Sequence, residues 1–288
     1  MKIVVSPNPY RDKQFRNARQ ACSILREAGA DVLLCLPFDV DKTFEIPSDL
    51  RFRDIQKEIK TADMLICFGG DGTILHSSKI ATEHNIPILG VNIGTMGFIA
   101  ELEAAEIELL RRIPKGEYTV EERTMLDVSV GNGKQTLFHE TALNDAVITK
   151  GAIARVLQLG IYCDGVEATS YSGDGVILCT PTGSTAYSMS AGGPIVEPSA
   201  KNFLITPICA HAILAKSIVV APSRVVTVKI GKVGRHNAFL SVDGGRAFRL
   251  NVGDEITVRS SQKVTRLVRL KNTSFFEILN RKFIEKMR

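Results

Sequence analysis

The 288-residue sequence predicts an α/β protein in two parts, an N-terminal parallel α/β domain followed by a C-terminal antiparallel β-sandwich-type domain. Up to about residue 118, short apolar runs alternate with segments of helical periodicity. Beyond it the runs are short and β-branched, and Asn-Gly and Asp-Gly turn signals recur. The last stretch, "FFEILNRKFIEKMR", is amphipathic at helical spacing. The expected division is therefore 1–118, Rossmann-like in its alternation, and 119–269, with the tail 270–288 packing back on the first domain.

In chain order, "KIVV" is the first strand. Residues 12–28 then place Phe15, Ala18, Cys22 and Leu25 on one helical face, and Gly29 closes that segment. "DVLLCL", "ADMLICF" and "IPILGVN" are three further strands, with a helix expected over 73–84 between the last two. Such alternation builds a parallel sheet with helices on its faces, and ligands of such sheets bind beyond the carboxyl ends of the strands. Both "GGDGT" and "NIGTMGF" fall at those ends. In the second half, "AVITKG", "ARVLQLGIYC", "GVILCT", "SIVVAP", "RVVTVKI", "AFLSVDGG" and "EITVRS" are strand candidates, and "GNGK" and "YCDGVE" carry the hairpin dipeptides. "PTGSTAYSMSAGGP" interrupts them as a loop leading into a short helix.

Composition narrows the function. An apolar fraction of 44% with 23% charged residues is that of a soluble globular chain. The net charge of +5 is mixed with acids and lacks the dense Lys and Arg clusters of a nucleic-acid stripe. There is no Trp, and the 13 Phe and 5 Tyr are scattered, so no stacking platform stands out. No run approaches the roughly 18 apolar residues of a membrane span. The apolar start "IVV" is too short for a signal peptide. Cysteines at 22, 35, 67, 163, 179 and 209 form no CxxC pair and read as free thiols of a reducing compartment, so a cytoplasmic location is expected. The five His residues do not supply zinc-ligand spacing, and no protein metal site is expected.

The segment with the strongest chemical content is Gly69-Gly70-Asp71-Gly72-Thr73. Glycines let the backbone approach a ligand closely, and the N-terminus of the following helix favours anions, so Gly69, Gly70, Gly72 and Thr73 are candidate contacts to a phosphate donor. The turn is neither a P-loop nor a GxGxxG fingerprint. Asp71 either caps the helix or serves a hydroxyl as proton acceptor while the amides hold the donor. In the second case a divalent cation, Mg²⁺ or another, accompanies the phosphates and offsets the repulsion. "NIGTMGF" is a second glycine-bearing strand end on the same crevice, or a plain strand–turn–helix connection, and its Phe98 packs over a bound ring or into the core.

In "PTGSTAYSMSAGGP" small hydroxyl residues framed by glycines suit recognition of an adenine edge or ribose, and Tyr187 offers a flat face. A capped surface helix would use some of the same residues. Asn144 and Asp145 could grip vicinal ribose hydroxyls or form a turn. Asp174 in "SGDGV" is ambiguous in the same way, and Arg155 could meet a phosphate or an acid. Nothing pairs His76 or His211.

With these segments quoted, the sequence resembles the NAD kinase family. The resemblance rests on an ordered set: "GGDGT", "VNIGTMGFIAEL", "ALNDAVI", "DGVILCTPTGSTAYSMSAGGPIVEP", "PICAH" and "SVDGG". It implies transfer of a phosphoryl group from ATP or another donor to the 2′-hydroxyl of the adenosine ribose of NAD, giving NADP. It implies Asp71 as proton acceptor and NAD contacts at Gly72, Asn144, Asp145, Asp174, Thr185, Ala186, Tyr187 and Ser190, with Arg155 and His76 near positions sometimes assigned to NAD. It also implies NAD between the two domains and a homo-oligomer, dimer or tetramer. Two positions depart from the family: Asp145 stands where many members have Glu, and Gly245 where a Gln is often found. GGDGT alone is shared with lipid kinases and 6-phosphofructokinases, and a non-enzymatic NAD(P) sensor could retain Asp71 for ribose contacts.

Overall fold

The computed structural model describes residues 1–41, 43–94, 97–133, 135–151, 156–211, 215–231 and 238–286. It forms two compact units, Met1–Glu122 with Thr265–Arg288, and Arg123–Val264.

In the first unit, β1 (Lys2–Pro7), β2 (Asp31–Leu34), β3 (Met64–Gly69), β4 (Ile88–Asn92) and the short β5 (Leu102–Glu103) are all parallel. The order is β4-β3-β1-β2, with β5 on β4 and Leu267 pairing Ile88. Helices α1 (Arg16–Glu27), α2 (Ile55–Glu58) and α3 (Asp71–Glu83) connect them. Strand alternation explains the continuous apolar runs, because each face is covered. Ile3, Val5, Ile66 and Phe68 pack with Ala18, Cys22 and Leu25 of α1 on one side. Val4, Leu65 and Cys67 pack with Ile74 and Ala81 of α3 on the other. Burial pushes the Cys67 thiol up to about 12, so it is an inert core thiol.

Two helix starts differ from the periodicity. Helix α1 begins at Arg16, not 12, because Gln14 and Phe15 take φ of 53° and 55°. The buried Asp12 carboxylate then accepts the amides of Asn17 (3.0 Å) and Ala18 (2.9 Å). Helix α3 begins at Asp71, two residues before the expected 73. Its N-cap is Gly70, whose carbonyl accepts the amides of Thr73 and Ile74, so Asp71 does not cap the helix.

The second unit is antiparallel. Its strands are β6 (Thr119–Gly131), β7 (Thr136–Ala142), β8 (Asp145–Lys150), β9 (Leu157–Cys163), β10 (Val166–Gly173), β11 (Gly175–Cys179), β12 (Phe203–Ile208), β13 (Ile218–Val220), β14 (Val225–Ile230), β15 (Ala238–Val242), β16 (Phe248–Leu250) and β17 (Glu255–Arg269). One sheet runs β13-β12-β11-β8-β15-β16, and the other sets β10-β9-β14 beside the first residues of β17. Inward residues of both sheets, among them Ile148, Leu178, Ile205, Leu240, Ile161, Val228 and Val258, share one core. The result is a β-sandwich. The β9–β10 hairpin turns on Asp164 and Gly165, at φ of 49° and 82°, as a primed turn requires. The outer face of β8, β11 and β12 carries a smaller cluster of Val147, Ile177, Cys179 and Leu204, against which Ala191 and Val196 pack. That packing holds the "PTGSTAYSMSAGGP" segment on the sandwich, with α4 (Tyr187–Ser190) at its centre. The chain ends in α5 (Phe275–Lys286), which falls in the first unit. Among the described residues no helix is long and apolar enough to cross a membrane.

Candidate active site

The strand order of the first unit reverses between β1 and β3. In an open parallel sheet the crevice beyond the carboxyl ends at such a point is where ligands bind. Two segments meet there. Asn8, just after β1, donates its amide to the Phe68 carbonyl (2.8 Å) and its side-chain NH₂ to the Thr73 hydroxyl (2.9 Å). Gly69 to Thr73 turn from β3 into α3, and a β-carbon on Gly69 would overlap the Thr73 side chain.

Asp71 is half-buried in the first turn of α3, and its carboxylate is held by the end of the "NIGTMGF" segment. Oδ2 accepts the Phe98 amide at 2.7 Å and Oδ1 accepts the Ile99 amide at 3.2 Å. Each oxygen keeps a lone pair for another donor. Thr95 and Met96 of this segment lie outside the described residues. Asp71, Gly70, Gly72, Thr73 and His76 all line one cavity of about 540 Å³, within the usual range of a small-molecule site. His76 is tied to the Pro37 carbonyl through Nε2 (3.0 Å) and meets the edge of Phe38. The sequence reading missed four residues of this cavity: Asn8, Arg11, Phe38 and Lys282. The position of Asn8 and Arg11 directly after a parallel strand was the available signal. For Phe38 and Lys282 no local pattern exists.

The second unit gathers a separate group. Asp243, at φ 50° in the β15–β16 turn, accepts the amides of Leu143 (2.8 Å), Asn144 (2.8 Å) and Asp145 (3.0 Å). The chain bends at "LND", as the turn reading expects, and Asp243 is a further residue the sequence reading missed within "SVDGG". Asn144 Oδ1 is buried with no partner among the described residues. Asp145 is 6% exposed, and burial, with the charge of Asp243 second, pushes its carboxyl up to about 7. The Asn144 carbonyl accepts the Thr180 amide (2.9 Å), and a β-carbon on Gly183 would overlap that carbonyl. The "PTGSTAY" segment therefore packs directly on the Asn144–Asp145 turn.

Thr185 is buried and its hydroxyl donates to the Thr182 carbonyl (3.3 Å). Ala186 joins that turn to α4. Tyr187 and Ser190, one helical turn apart, share the exposed side of α4, while Ser188 is buried against Thr206 (2.9 Å). Asp174 is not brought to this group. Asp145 pairs with Cys179 at one end of β11, whereas Asp174 precedes Gly175 at the other, roughly 15 Å away along an extended strand. There Asp174 makes an ion pair with Lys150 (2.6 Å). Arg155 lies outside the described residues. Gly245 closes the Asp243 turn by donating its amide to the Val242 carbonyl (2.8 Å). Among the described residues, no group of three or more His, Cys, Asp or Glu side chains is placed to hold a metal ion.

The comparisons bear on both units. Residues 3–118 match the ATP-NAD kinase N-terminal domain and residues 143–270 the ATP-NAD kinase C-terminal domain. The chain is 41% identical over 290 residues to the NAD kinase of Thermoanaerobacter sp. (strain X514), covering 99% of each chain. It is 34% identical to the NAD kinase of Acetivibrio thermocellus, covering 99% of this chain and 98% of that one. Among solved structures it is similar to a yeast NADH kinase complexed with NADH, at a TM-score of 0.84 and 27% identity over 97% of this chain and 86% of that one. It is also similar to an NAD kinase from Archaeoglobus fulgidus in complex with ATP, at a TM-score of 0.73 and 26% identity over 98% of each chain. With both halves matched and the relatives aligned nearly end to end, the chain belongs to the NAD kinase family.

Proposed function

We propose that Asp71 is the proton acceptor in the reaction this chain catalyses, the phosphorylation of NAD to NADP by ATP. The observation that carries this is the placement of the Asp71 carboxylate: in the cavity at the strand-order reversal, fixed by the Phe98 and Ile99 amides, beside the N-terminus of α3. The 2′-hydroxyl of the adenosine ribose gives its proton to Asp71. Its oxygen forms the new bond to the terminal phosphorus of ATP, and the bond from that phosphorus to the bridging oxygen breaks, leaving ADP with the electron pair. A positioned base of this kind contributes about 10²–10⁴ in rate. Alignment and charge neutralisation supply most of the rest.

The donor phosphates are assigned to Gly69, Gly70, Gly72 and Thr73, where amides at a helix start favour anions. NAD is assigned to Gly72, His76, Asn144, Asp145, Arg155, Thr185, Ala186, Tyr187 and Ser190, and Asp174, roughly 15 Å along β11 from Asp145, to a part of the dinucleotide remote from the Asn144–Asp145 pair. The unpartnered, buried Asn144 Oδ1 supports a hydroxyl donor in that set, because buried polar atoms normally find partners. The divalent cation, Mg²⁺ in the simplest case, enters as part of the donor. An ion that takes most of its ligands from phosphate oxygens and water fits a cavity in which Asp71 is the one carboxylate among the described residues. A homo-oligomer, dimer or tetramer, and a cytoplasmic location belong to the same proposal. The free cysteines support the second.

The test is incubation with ATP, Mg²⁺ and NAD, followed by enzymatic detection of NADP. The expected result is NADP formation that falls by at least about 10²-fold in Asp71→Asn, with NAD affinity far less affected. Undiminished turnover in that variant would remove Asp71 from the mechanism.

A further inference from the structure

We propose that Arg11 and Lys282 are the two cations that hold the polyphosphate of the donor over Asp71, which makes the C-terminal helix a working part of the donor site. The inference rests on the kinase reading above and deepens it.

Both residues line the Asp71 cavity, and they come from opposite ends of the chain. Arg11 follows β1, where its amide donates to the Asn8 carbonyl (3.2 Å). Gly94 lies beneath its guanidinium, and a β-carbon there would stand 3.1 Å from Nη1. Lys282 comes from α5. Its Nζ sits 5.3 Å from the centre of the Phe98 ring, and the Phe98 amide is one of the two that hold Asp71. The cation and the carboxylate are thus positioned through the same residue.

Neither cation has a carboxylate partner among the described residues. Elsewhere in the unit such partners are common: Arg269 pairs with Glu101 and Glu121, Lys271 with Glu106, and Arg111 with Glu27 and Glu108. Among the described residues Asp71 is the one acid in the cavity lining, and two amides already occupy it. The cavity therefore holds a surplus of positive charge, to which the start of the 13-residue α3 adds. Such a field selects a multiply charged anion. The guanidinium fork matches two phosphate oxygens, and an ammonium on a flexible stem follows a phosphate as a point charge. During transfer, negative charge builds on the leaving diphosphate, where fixed cations lower the barrier without reorganising.

Arg11→Gln, Lys282→Gln and the double variant test this, with calorimetric titration of inorganic tripolyphosphate and of ATP with Mg²⁺, and with KM for each substrate. Each single change is expected to weaken tripolyphosphate and ATP binding about tenfold, the range of a charge-assisted hydrogen bond. KM for NAD should stay within about twofold, and the melting temperature within roughly a degree or two for the exposed Arg11, with a somewhat larger shift for the half-buried Lys282. Lys282→Arg should restore most of the loss. Tripolyphosphate and ATP affinities within twofold of the unmodified protein, in both singles and the double, overturn the inference. Failure of the unmodified protein to make NADP from NAD and ATP would instead sink the kinase reading, while the tripolyphosphate titration still decides whether these two cations bind the phosphate chain.

Discussion

Gly97 and Asp71 are in such close approach that a β-carbon on Gly97 would overlap the Asp71 carboxylate. The requirement for glycine here is one of space, since the position that a side chain would take is filled by the carboxylate. The second glycine of "NIGTMGF" thus exists to let the loop close over the acid and deliver the Phe98 and Ile99 amides to it. Gly97→Ala must push the carboxylate aside. A displacement of about 1 Å at a reacting group costs on the order of 10² in rate. The expected outcome is a fall in kcat of that size with the melting temperature little changed, read by steady-state kinetics and thermal denaturation on one preparation. Normal kcat in a folded Gly97→Ala protein would show that the geometry of Asp71 does not matter to the chemistry.

Gly72 offers the opposite case. A β-carbon on it would meet nothing of the protein within 4 Å. It sits in the first turn of α3, where alanine is the better helix former, by up to about 0.5–1 kcal/mol. The space is nevertheless the cavity itself. Gly72→Ala is therefore expected to melt at the same or a slightly higher temperature while KM for ATP or NAD rises several-fold. Opposite movement of stability and affinity is the signature of a glycine kept for a ligand. If both are unchanged, neither substrate approaches this backbone.

The fold was legible where local physics decides it. Apolar runs such as "MLICF" mark strands covered on both faces, and Asp164-Gly165 supplies the positive φ values that a tight hairpin needs. The division of labour in the site was less so. Asn8, Arg11, Asp71 and Lys282 are spread over the whole length of the first unit, and only the parallel topology and the return of α5 bring them to one cavity. Asp243 was hidden for a related reason. Its carboxylate serves amides about a hundred residues earlier, through the β8–β15 pairing, and its own surroundings read as an ordinary turn. The early break of α1 at Gln14 and Phe15 was illegible because the side-chain periodicity continues through it while the backbone does not. Asp174 shows the converse limit. Its dipeptide carries no sign that β11 sets it at the far end of the strand from Asp145.

Tyr187 is 44% exposed on the face of α4 that it shares with Ser190, and among the described residues no other ring stacks on it. An exposed aromatic face beside a buried network of small hydroxyls is suited to a flat base. Tyr187→Ala removes that face without opening the core, so stability is expected to stay within about 0.5 kcal/mol. NAD binding is expected to weaken by roughly tenfold, in line with the loss of an aromatic stacking contact of about 0.5–1.5 kcal/mol together with its buried area. Fluorescence or calorimetric titration of NAD reads this directly. Unaltered affinity would move the adenosine away from α4.

The buried Asp145 gives a pH dependence whose sign follows from its surroundings. Burial and the neighbouring Asp243 charge hold its carboxyl at about 7 in the folded chain, well above the ordinary carboxylate value. Below the ordinary value both the folded and unfolded forms carry the proton, and the contribution to stability is complete. As pH rises, the unfolded chain ionises first, so stability drains away until the folded group also ionises near 7, and is flat beyond. Asp145→Asn cannot ionise and escapes this loss. The melting temperature of the variant minus that of the unmodified protein, measured without NAD, is therefore expected to climb between about pH 5 and 7 and then level off. An acid that grips ribose hydroxyls must also be ionised to accept two of them, so NAD affinity of the unmodified protein should improve across the same interval. A difference in melting temperature that is constant from pH 5 to 8 would mean that Asp145 is ionised throughout. In that case both the burial argument and the expected gain in NAD affinity fail together.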